Sequence, residues 1–391
     1  MRAVVISHAA VIPANQVPYC IIERMPETAL AMIIPERWNA SIGGMTDFTR
    51  HEDLRCQIIN KPVRFNGNIN THSYKGLSEM DFPFTPEVIY ADEDPYSLAA
   101  HQAFRIAKRI KVPFVFKSNQ NLVRKYPPPF CWTERAIYNG ATCAHAVAPA
   151  CADVLRQKGY EGHIEVIPHA VDTSVWQPQP AEQLRETLGI APDAFVIGYL
   201  GRLTLAKGLR DLLGAVNNLE ARLAADGSAP RDTVLLMVGE GELRGEIEAW
   251  SKSQTLARAL VTGVVPHGAA VAQHVSCMDV MVLPSRTTAS WKEQFGRVVI
   301  EGMACGVPVI GSDSGHIPVL IEETGGGLVF PEGGIDAFAK ALHKLRTDPD
   351  ESRSLGETGR AHVVEHYSYE RIAQQTADML RGAIERYPSA G

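Results

Sequence analysis

At 391 residues the chain is longer than one hydrophobic core usually serves, so two domains are the default expectation. Hydrophobic residues at 45% and charged residues at 21% describe an ordinary globular protein, and a net charge of −6 argues against a general nucleic-acid binder, whose phosphate contacts need a basic surface. The seven cysteines, at 20, 56, 131, 143, 151, 277 and 305, are odd in number and form no C-x-x-C pair, which argues against a disulfide scaffold or zinc ribbon and fits a reducing cytoplasm.

The opening run "MRAVVISHAAVIPANQ" carries one Arg and a short apolar stretch, and reads as a first buried strand rather than a signal peptide. No stretch approaches 18 uninterrupted apolar residues, so no membrane-spanning helix is expected. Further strands are expected at "ALAMIIP", "EVIYAD", "PFVFKS" and "HAVAPA", with helices at 95–109 and 151–158. There is no repeat of 20–50 residues and no low-complexity tract, and the alternation of strand and helix argues for a parallel sheet covered on both faces. From Pro95 through Thr133 no acidic residue occurs, while Arg105, Lys108, Arg109, Lys111, Lys117, Arg124, Lys125 and "YPPPFCW" do. A solvated basic face is the plainer reading of that span; docking on an anionic membrane that carries a lipid-linked acceptor is the sharper one.

"VDTSVWQPQPAEQL" is rich in Pro and Gln and places a domain junction near 172–185. Beyond it, "FVIGYLGRLTLAKGLRDLLGAV" reads as strand, turn and amphipathic helix, with Arg202 and Lys207 on the turn. Two cations on a strand-to-helix loop suit a diphosphate, because Arg grips two oxygens and Lys acts as a point charge. "TVLLMVGEGELRGEIEAW" repeats the pattern, although its Gly239-Glu240-Gly241 is a weak signal alone. In "WKEQFGRVVIEGMACGVPVIGSDSG", Glu293 and Glu301 stand eight residues apart around Phe295-Gly296. The residues after Gly296 form a short helix that ends at Gly306, and "VPVIGSD" is a buried parallel strand. Glu293 then lies before the helix and Glu301 on its second turn, beside N–H groups that favour an anion such as phosphate. Carboxylates there accept hydrogen bonds from sugar hydroxyls, so the chemistry suggested is a sugar joined to a diphosphate. Taken alone, two glutamates eight apart are more often solvated helix residues, and Arg202 and Lys207 more often surface charges; the order of the surrounding pieces reverses this. "SYERIAQQTADMLRGAIER" closes the chain as an amphipathic helix.

In that order "VIPHAVDTSVW", "GRLTLAKG", "MVGEGELR", "VTGVV", "MDVMVLPS" and the E-x7-E element resemble the C-terminal domain of the retaining nucleotide-sugar glycosyltransferases of family 4, glycosyl transferases group 1, over roughly residues 165–375. The resemblance implies an α/β protein of GT-B fold: two Rossmann-like parallel-sheet domains facing across a cleft, with a C-terminal helix crossing back to the first. The implied division is an acceptor-side domain over 1–175, a donor-binding domain over 176–370 and the returning helix over 371–391. It implies retaining transfer of a hexose-type sugar from a UDP- or GDP-sugar to a glycan or lipid-linked acceptor, in bacterial polysaccharide or glycoconjugate synthesis, in the cytoplasm or peripherally at the inner membrane face. No cofactor and no metal are expected, Arg202 and Lys207 standing in for a divalent cation. A GT-B epimerase and a catalytically silent sugar-nucleotide binding subunit are the alternatives.

By the same resemblance Arg202 and Lys207 would hold the diphosphate and stabilise the leaving nucleoside diphosphate, Glu293 would bind hydroxyls of the transferred sugar, and Glu301 those of the ribose. Gly239, Gln294, Phe295, Gly296 and Arg297 would complete the donor site, with the base near Val264 and Val265. The first half departs from the family: the Gly-Gly turn after the first strand is replaced by "SHAAVIPAN", with Gly43-Gly44 only much later. The family's "HxHEP"-like run is here "YADEDPYS", which puts Glu93 on the His position and Asp94 on the following acid. Glu93 would orient the acceptor hydroxyl or stabilise positive charge on the sugar ring, without acting as a nucleophile; a helix N-terminal charge pair ahead of Pro95 is the competing reading. Asn119, Gln120 and Asn121 would hydrogen-bond an acceptor sugar. His8 and His169 flank strand ends and read as structural histidines or as ones that support a neighbouring site residue, His316 as a donor-pocket or exposed loop residue, and Trp291 as a shaper of a sugar site beside Glu293.

Overall fold

The structure is a computed structural model that describes residues 1–40, 44–227, 232–254 and 257–387, so Gly43 of the distant Gly-Gly pair lies outside the described residues. The chain divides into two compact units: Met1–Pro168 with the segment from Tyr369, and His169–Ser368.

The first unit is built on β1 (Arg2–Ile6), β2 (Ala29–Pro35), β3 (Gln57–Lys61), β4 (Val88–Ala91), β5 (Phe114–Ser118), β6 (Cys143–Ala146) and β7 (His163–Val166), ordered β7-β6-β5-β4-β1-β2-β3 and parallel throughout. The central strands are buried on both faces, which is why their sequences are continuous apolar runs rather than alternations. The helices α1 (Val17–Ile22), α2 (Leu98–Ile110), α3 (Phe130–Tyr138) and α4 (Pro149–Gln157) connect them. Ser97 caps α2, its hydroxyl accepting the Ala100 N–H at 3.0 Å. Between β2 and β4 two antiparallel hairpins, Arg37–Ala40 with Gly44–Asp47 and Val63–Arg64 with Ser73–Tyr74, carry Trp38 and His72 toward the end of β1.

The second unit is built on β8 (Phe195–Leu200), β9 (Thr233–Val238), β10 (Ala257–Gly263), β11 (Val280–Leu283), β12 (Val309–Ser312) and β13 (Gly327–Phe330), ordered β10-β9-β8-β11-β12-β13 and again all parallel. Its helices are α5 (Glu182–Thr187), α6 (Leu209–Asp226), α7 (Arg244–Ser253), α8 (Ala269–Ser276), α9 (Arg297–Ala304), α10 (Ile317–Thr324), α11 (Ile335–Thr347) and α12 (Pro349–His366). One face of the sheet buries Val196, Val234, Val299, Met303 and Ile317, and the other Ile197, Leu212, Leu235, Phe330 and Phe338. Each such side chain contributes about 1.5–3 kcal/mol relative to exposure. The last helix, α13 (Tyr369–Arg386), belongs to the first unit, where it packs on α1 and buries Ile372, Ala373, Ala377, Met379, Leu380 and Ala383.

In both sheets the first strand pairs on either side with strands not adjacent to each other in sequence, so the connections leave in opposite directions at its end. Such a switch point opens a crevice at the carboxyl ends of the strands, where ligands of open parallel sheets bind. In the first unit the crevice lies between β1 and β4, and in the second between β8 and β11.

Candidate functional site

In the second unit the loop after β8 runs from Gly201 through Lys207 and turns into α6 at Gly208. Gly208 adopts φ +66°, and a Cβ there would lie 1.8 Å from the Pro284 carbonyl oxygen, so this loop seats directly on the end of β11. The Arg286 N–H donates to the Ala206 carbonyl at 2.8 Å, and its guanidinium grips the buried Asp211 carboxylate at the start of α6 with two 2.6 Å bonds. Beyond β12, Ser312 Oγ donates to the Ser285 carbonyl at 2.6 Å, and Thr287 Oγ1 lies 3.0 Å from Ser314 Oγ. Strand-end loops separated in sequence are thereby tied into one rim.

On that rim Lys207 and Glu293 meet, Nζ to Oε2 at 2.6 Å, with Ser285 Oγ donating to the same oxygen at 3.0 Å. Lys207 Nζ also stands 4.8 Å from the centroid of the Trp291 ring, so the indole flanks the ion pair. Arg202 is exposed on the same loop. The buried Tyr199 hydroxyl donates to the Arg202 carbonyl at 2.7 Å. Burial and then the Glu293 charge push the Tyr199 phenol well above its ordinary range, with Arg202 opposing them, so Tyr199 feels both proposed donor ligands.

Gly296 at φ +86° precedes α9, which ends in a Schellman arrangement, Gly306 N–H to Met303 O at 2.9 Å and Val307 N–H to Gly302 O at 3.1 Å. Phe295 is buried, its ring centroid 5.1 Å from that of His169 and 5.4 Å from that of His316, so both histidines pack around the motif's aromatic residue. The His316 N–H donates to the Glu293 carbonyl at 3.3 Å, and burial lowers its imidazole pKa against the weaker pull of Glu323. Glu301 is 5% exposed on α9, and the basic side chains of His267 and Arg297 stand 3.8 and 3.9 Å away, beyond hydrogen-bond range. A buried carboxylate held this loosely suits hydroxyl donors from a ligand. Gln294 and Arg297 are exposed at the start of α9. Gly239 lies at the end of β9, bridged to Gly263, after which Val264 is 76% exposed and Val265 half-buried.

In the first unit Glu93 is 1% exposed directly beneath His8. Its Oε1 accepts the His8 backbone N–H at 2.8 Å, and its Oε2 lies 2.7 Å from His8 Nδ1. His72 Nε2 stands 3.4 Å from Oε1, while its Nδ1 faces the Ile69 and Asn68 carbonyls at 3.0 and 3.2 Å. Burial alone would raise the Glu93 pKa, but His8 and His72 outweigh it and hold the carboxyl well below the usual range. For His8 the balance is reversed: burial lowers the imidazole pKa, and Glu93, helped by Asp92 and Asp94, raises it overall. Trp38 packs on the His8 ring at 4.6 Å and on His72 at 4.9 Å.

A cation would find one ligand atom on each of His8, His72 and Glu93, all within 4.8 Å of one another. The 2.7 Å between His8 Nδ1 and Glu93 Oε2 is nevertheless shorter than the ~3.3 Å between neighbouring ligands of a tetrahedral zinc with bonds near ~2.0 Å. It is the spacing of a hydrogen bond with its proton in place, and the arrangement is a carboxylate–imidazole dyad backed by a second imidazole.

Asp94, 8% exposed, accepts the Asn119 N–H at 3.0 Å, and burial pushes its carboxyl up to about 6. Gln120 is buried and bonded to Lys158 at 3.3 Å, Lys158 in turn pairing with Glu134; Asn121 is buried beside it in sequence. Thus the structure joins Lys207 to Glu293, and Asp94 to Asn119, while Gln120 enters a separate polar network. His72 and Trp38 are not among the candidates that the sequence offers, and His8 reads there as structural or as a support to a site residue. The one available signal is the position of His8 immediately beyond the first strand.

Residues 180–362 match the family model for glycosyl transferases group 1. The chain is 30% identical over 268 residues to alpha-maltose-1-phosphate synthase of Mycolicibacterium smegmatis, a match spanning 64% of this chain and 65% of that protein, just under two thirds of the relative's own length. It is 27% identical to a D-inositol 3-phosphate glycosyltransferase of Streptomyces bingchenggensis, over 82% of this chain and 76% of that one. Its fold is shared with sucrose-phosphate synthase of Thermosynechococcus elongatus, at a TM-score of 0.70 and 18% identity over 98% of this chain and 99% of that one, and is the two-domain GT-B fold. Arg202, Lys207, Glu293 and Glu301 all lie inside the matched segment, so it is the donor-side part of the second unit that is similar to the glycosyl transferases group 1 family.

Proposed function

We propose that the protein is a retaining, metal-independent glycosyltransferase that moves a hexose-type sugar from a UDP- or GDP-sugar to a glycan or lipid-linked acceptor. The observation that carries this reading is the meeting of Lys207 and Glu293 at the switch point of the second sheet, a phosphate-binding cation and a hydroxyl-binding carboxylate 2.6 Å apart. Lys207 would turn one of its donors to the diphosphate, with Arg202 on the same loop gripping it from solvent. Both stabilise the negative charge that develops as the sugar–phosphate bond breaks. Glu293 accepts hydroxyls of the transferred sugar and Glu301 those of the ribose, while backbone groups at Gly239, Gln294, Phe295, Gly296 and Arg297 line the donor and Val264–Val265 flank the base. In the first unit Asp94, Asn119, Gln120 and Asn121 would contact the acceptor, Glu93 acting from beneath. Because two cations serve the diphosphate, no divalent ion is required.

We further read the basic 105–125 segment as a peripheral attachment to anionic membrane, where lipid-linked acceptors of bacterial polysaccharide synthesis reside. Arg105, Lys108, Lys111 and Lys125 are exposed there, whereas Lys117 turns inward to pair with Asp92 at 2.9 Å. No helix among the described residues is long and apolar enough to cross a membrane.

A thermal-shift screen against UDP-, GDP-, ADP- and TDP-sugars tests the reading, since a ligand at 100 times its Kd stabilises by about 2.7 kcal/mol. A shift with one nucleotide, abolished by Arg202→Ala and weakened by Glu293→Ala, is expected; proton NMR of the product should show the donor's anomeric configuration, and EDTA should leave the rate unchanged. Donor binding that survives both substitutions would overturn the site, and turnover without transfer would point to an epimerase.

A further inference from the structure

We propose that His8 forms an acceptor subsite, its Nε2 receiving a hydrogen bond from a sugar hydroxyl, and that Glu93 is the positioning residue that fixes the ring for this task. The inference rests on the transferase reading above and adds a residue to its first unit.

The neighbouring carboxylate decides where the imidazole carries its proton. Glu93 is fully buried and held ionised, so the nitrogen 2.7 Å from its Oε2 must be a donor, which places a proton on His8 Nδ1. A neutral His8 then carries its lone pair on Nε2. The side chain of His8 is 17% exposed, while those of Glu93 and His72 are 0% exposed, so among these three the available acceptor belongs to His8. His72 donates through Nδ1 to the Ile69 and Asn68 carbonyls, and its Nε2 has no hydrogen-bonded partner among the described residues. Fully buried against both Glu93 and the edge of the His8 ring, at 5.1 Å between centroids, it offers no accessible acceptor to a ligand. Trp38 packs on one side of the His8 ring, at 4.6 Å between centroids. The dyad sits at the end of β1 beside β4, the switch point of the first sheet.

The charges around His8 give the subsite a pH dependence. Glu93, Asp92 and Asp94 at the end of β4 all favour the imidazolium, the His72 ring lies edge-on to His8 at 5.1 Å between centroids, and Asp92 is partly spent on Lys117 at 2.9 Å. Once protonated, Nε2 becomes a donor and loses its lone pair, so affinity for a donating hydroxyl falls as pH drops through the raised His8 pKa. A hydroxyl bound to neutral His8 keeps its proton, so His8 orients the acceptor and is not its base.

The test uses the full chain labelled with 15N-histidine, with octyl glucoside, octyl mannoside and octyl galactoside as probes. Expected are an Nδ1–H tautomer for His8, a shift of its Nε2 resonance with at least one glycoside above the titration midpoint, and loss of that shift below it. Glu93→Gln should lower the midpoint by roughly one unit or more, the effect of removing an adjacent opposite charge. His8→Gln, which keeps an N–H for Glu93, should remove the glycoside response at an unchanged melting temperature. No response to any of the three glycosides, an Nε2–H tautomer, or one equivalent of bound zinc lost in His72→Ala would each overturn the proposal. Nucleotide binding measured in parallel separates the two readings: its loss with the His8 response intact sinks the donor assignment alone.

Discussion

Gly315 gives a quantitative way to ask whether the loop after β12 holds Glu293 in place. It adopts φ +60°, and a Cβ added there would lie 2.0 Å from the Glu293 carbonyl oxygen, backbone that cannot rotate away. Gly315→Ala therefore carries two costs: about 1–2 kcal/mol for an L side chain in the left-handed region, and about 1–3 kcal/mol for forcing an atom into a packed site. Together they predict about 2–5 kcal/mol, or roughly 5–15 °C in Tm for a unit of this size. Gly189→Ala separates the two, because Gly189 has φ +66° with nothing within 4 Å of an added Cβ, so it should cost only the backbone portion, about 1–2 kcal/mol. Calorimetry of both variants, with nucleotide-sugar titration of each, should show an extra loss of stability in Gly315→Ala and at least about a tenfold loss of donor affinity, 1.4 kcal/mol, that Gly189→Ala lacks. Equal Tm values for the two variants, or normal donor affinity in Gly315→Ala, would refute the claim that this contact positions Glu293.

The mostly buried Lys207–Glu293 pair should show coupling: Lys207→Met leaves Glu293 with Ser285 and without its cation, at a cost of about 1–3 kcal/mol, and adding Glu293→Gln should recover part of it in a double-mutant cycle by chemical denaturation. Asp94, with its carboxyl raised to about 6, contributes stability that is present below the unfolded carboxyl range near pH 4 and lost as pH rises through about 6. Wild type should accordingly lose roughly 2–3 kcal/mol relative to Asp94→Asn between pH 4 and pH 7 in denaturation curves, and parallel profiles would contradict the buried, weakly compensated carboxyl. For the basic segment, sedimentation with liposomes should show binding that needs anionic lipid, falls with salt and weakens in a Lys108→Glu, Lys111→Glu, Lys125→Glu triple variant; equal binding to neutral and anionic vesicles would rule the attachment out.

What is legible in the sequence follows from how each feature is encoded. The central strands announce themselves because burial on both faces demands unbroken apolar runs, as in "AVVI" and "LAMII". The edge strands β3 and β7 do not stand out, because half-exposed "QIINK" and "HIEV" carry no such run. Helix α3 is hidden behind Pro127–Pro129 and an aromatic start, "FCW", of low helix preference. On the donor side the proposed ligands can be picked out because each follows a strand in its own local motif, and the fold joins Lys207 to Glu293 across 86 positions of sequence. The His8–Glu93–His72 cluster has no equivalent local signal, since Trp38 and His72 arrive on hairpins whose placement is decided by tertiary packing.

The first unit is discontinuous in sequence, with the whole of His169–Ser368 between its two parts. On a ribosome its seven strands are all made before α13, so the apolar surface that Ile372, Met379 and Leu380 cover waits, exposed, through the synthesis of about 200 further residues. The second unit is contiguous and has no such wait. A chain truncated after Pro168 should therefore aggregate unless α13 is supplied, fused or in trans, whereas His169–Ser368 alone can be excised without cutting either sheet.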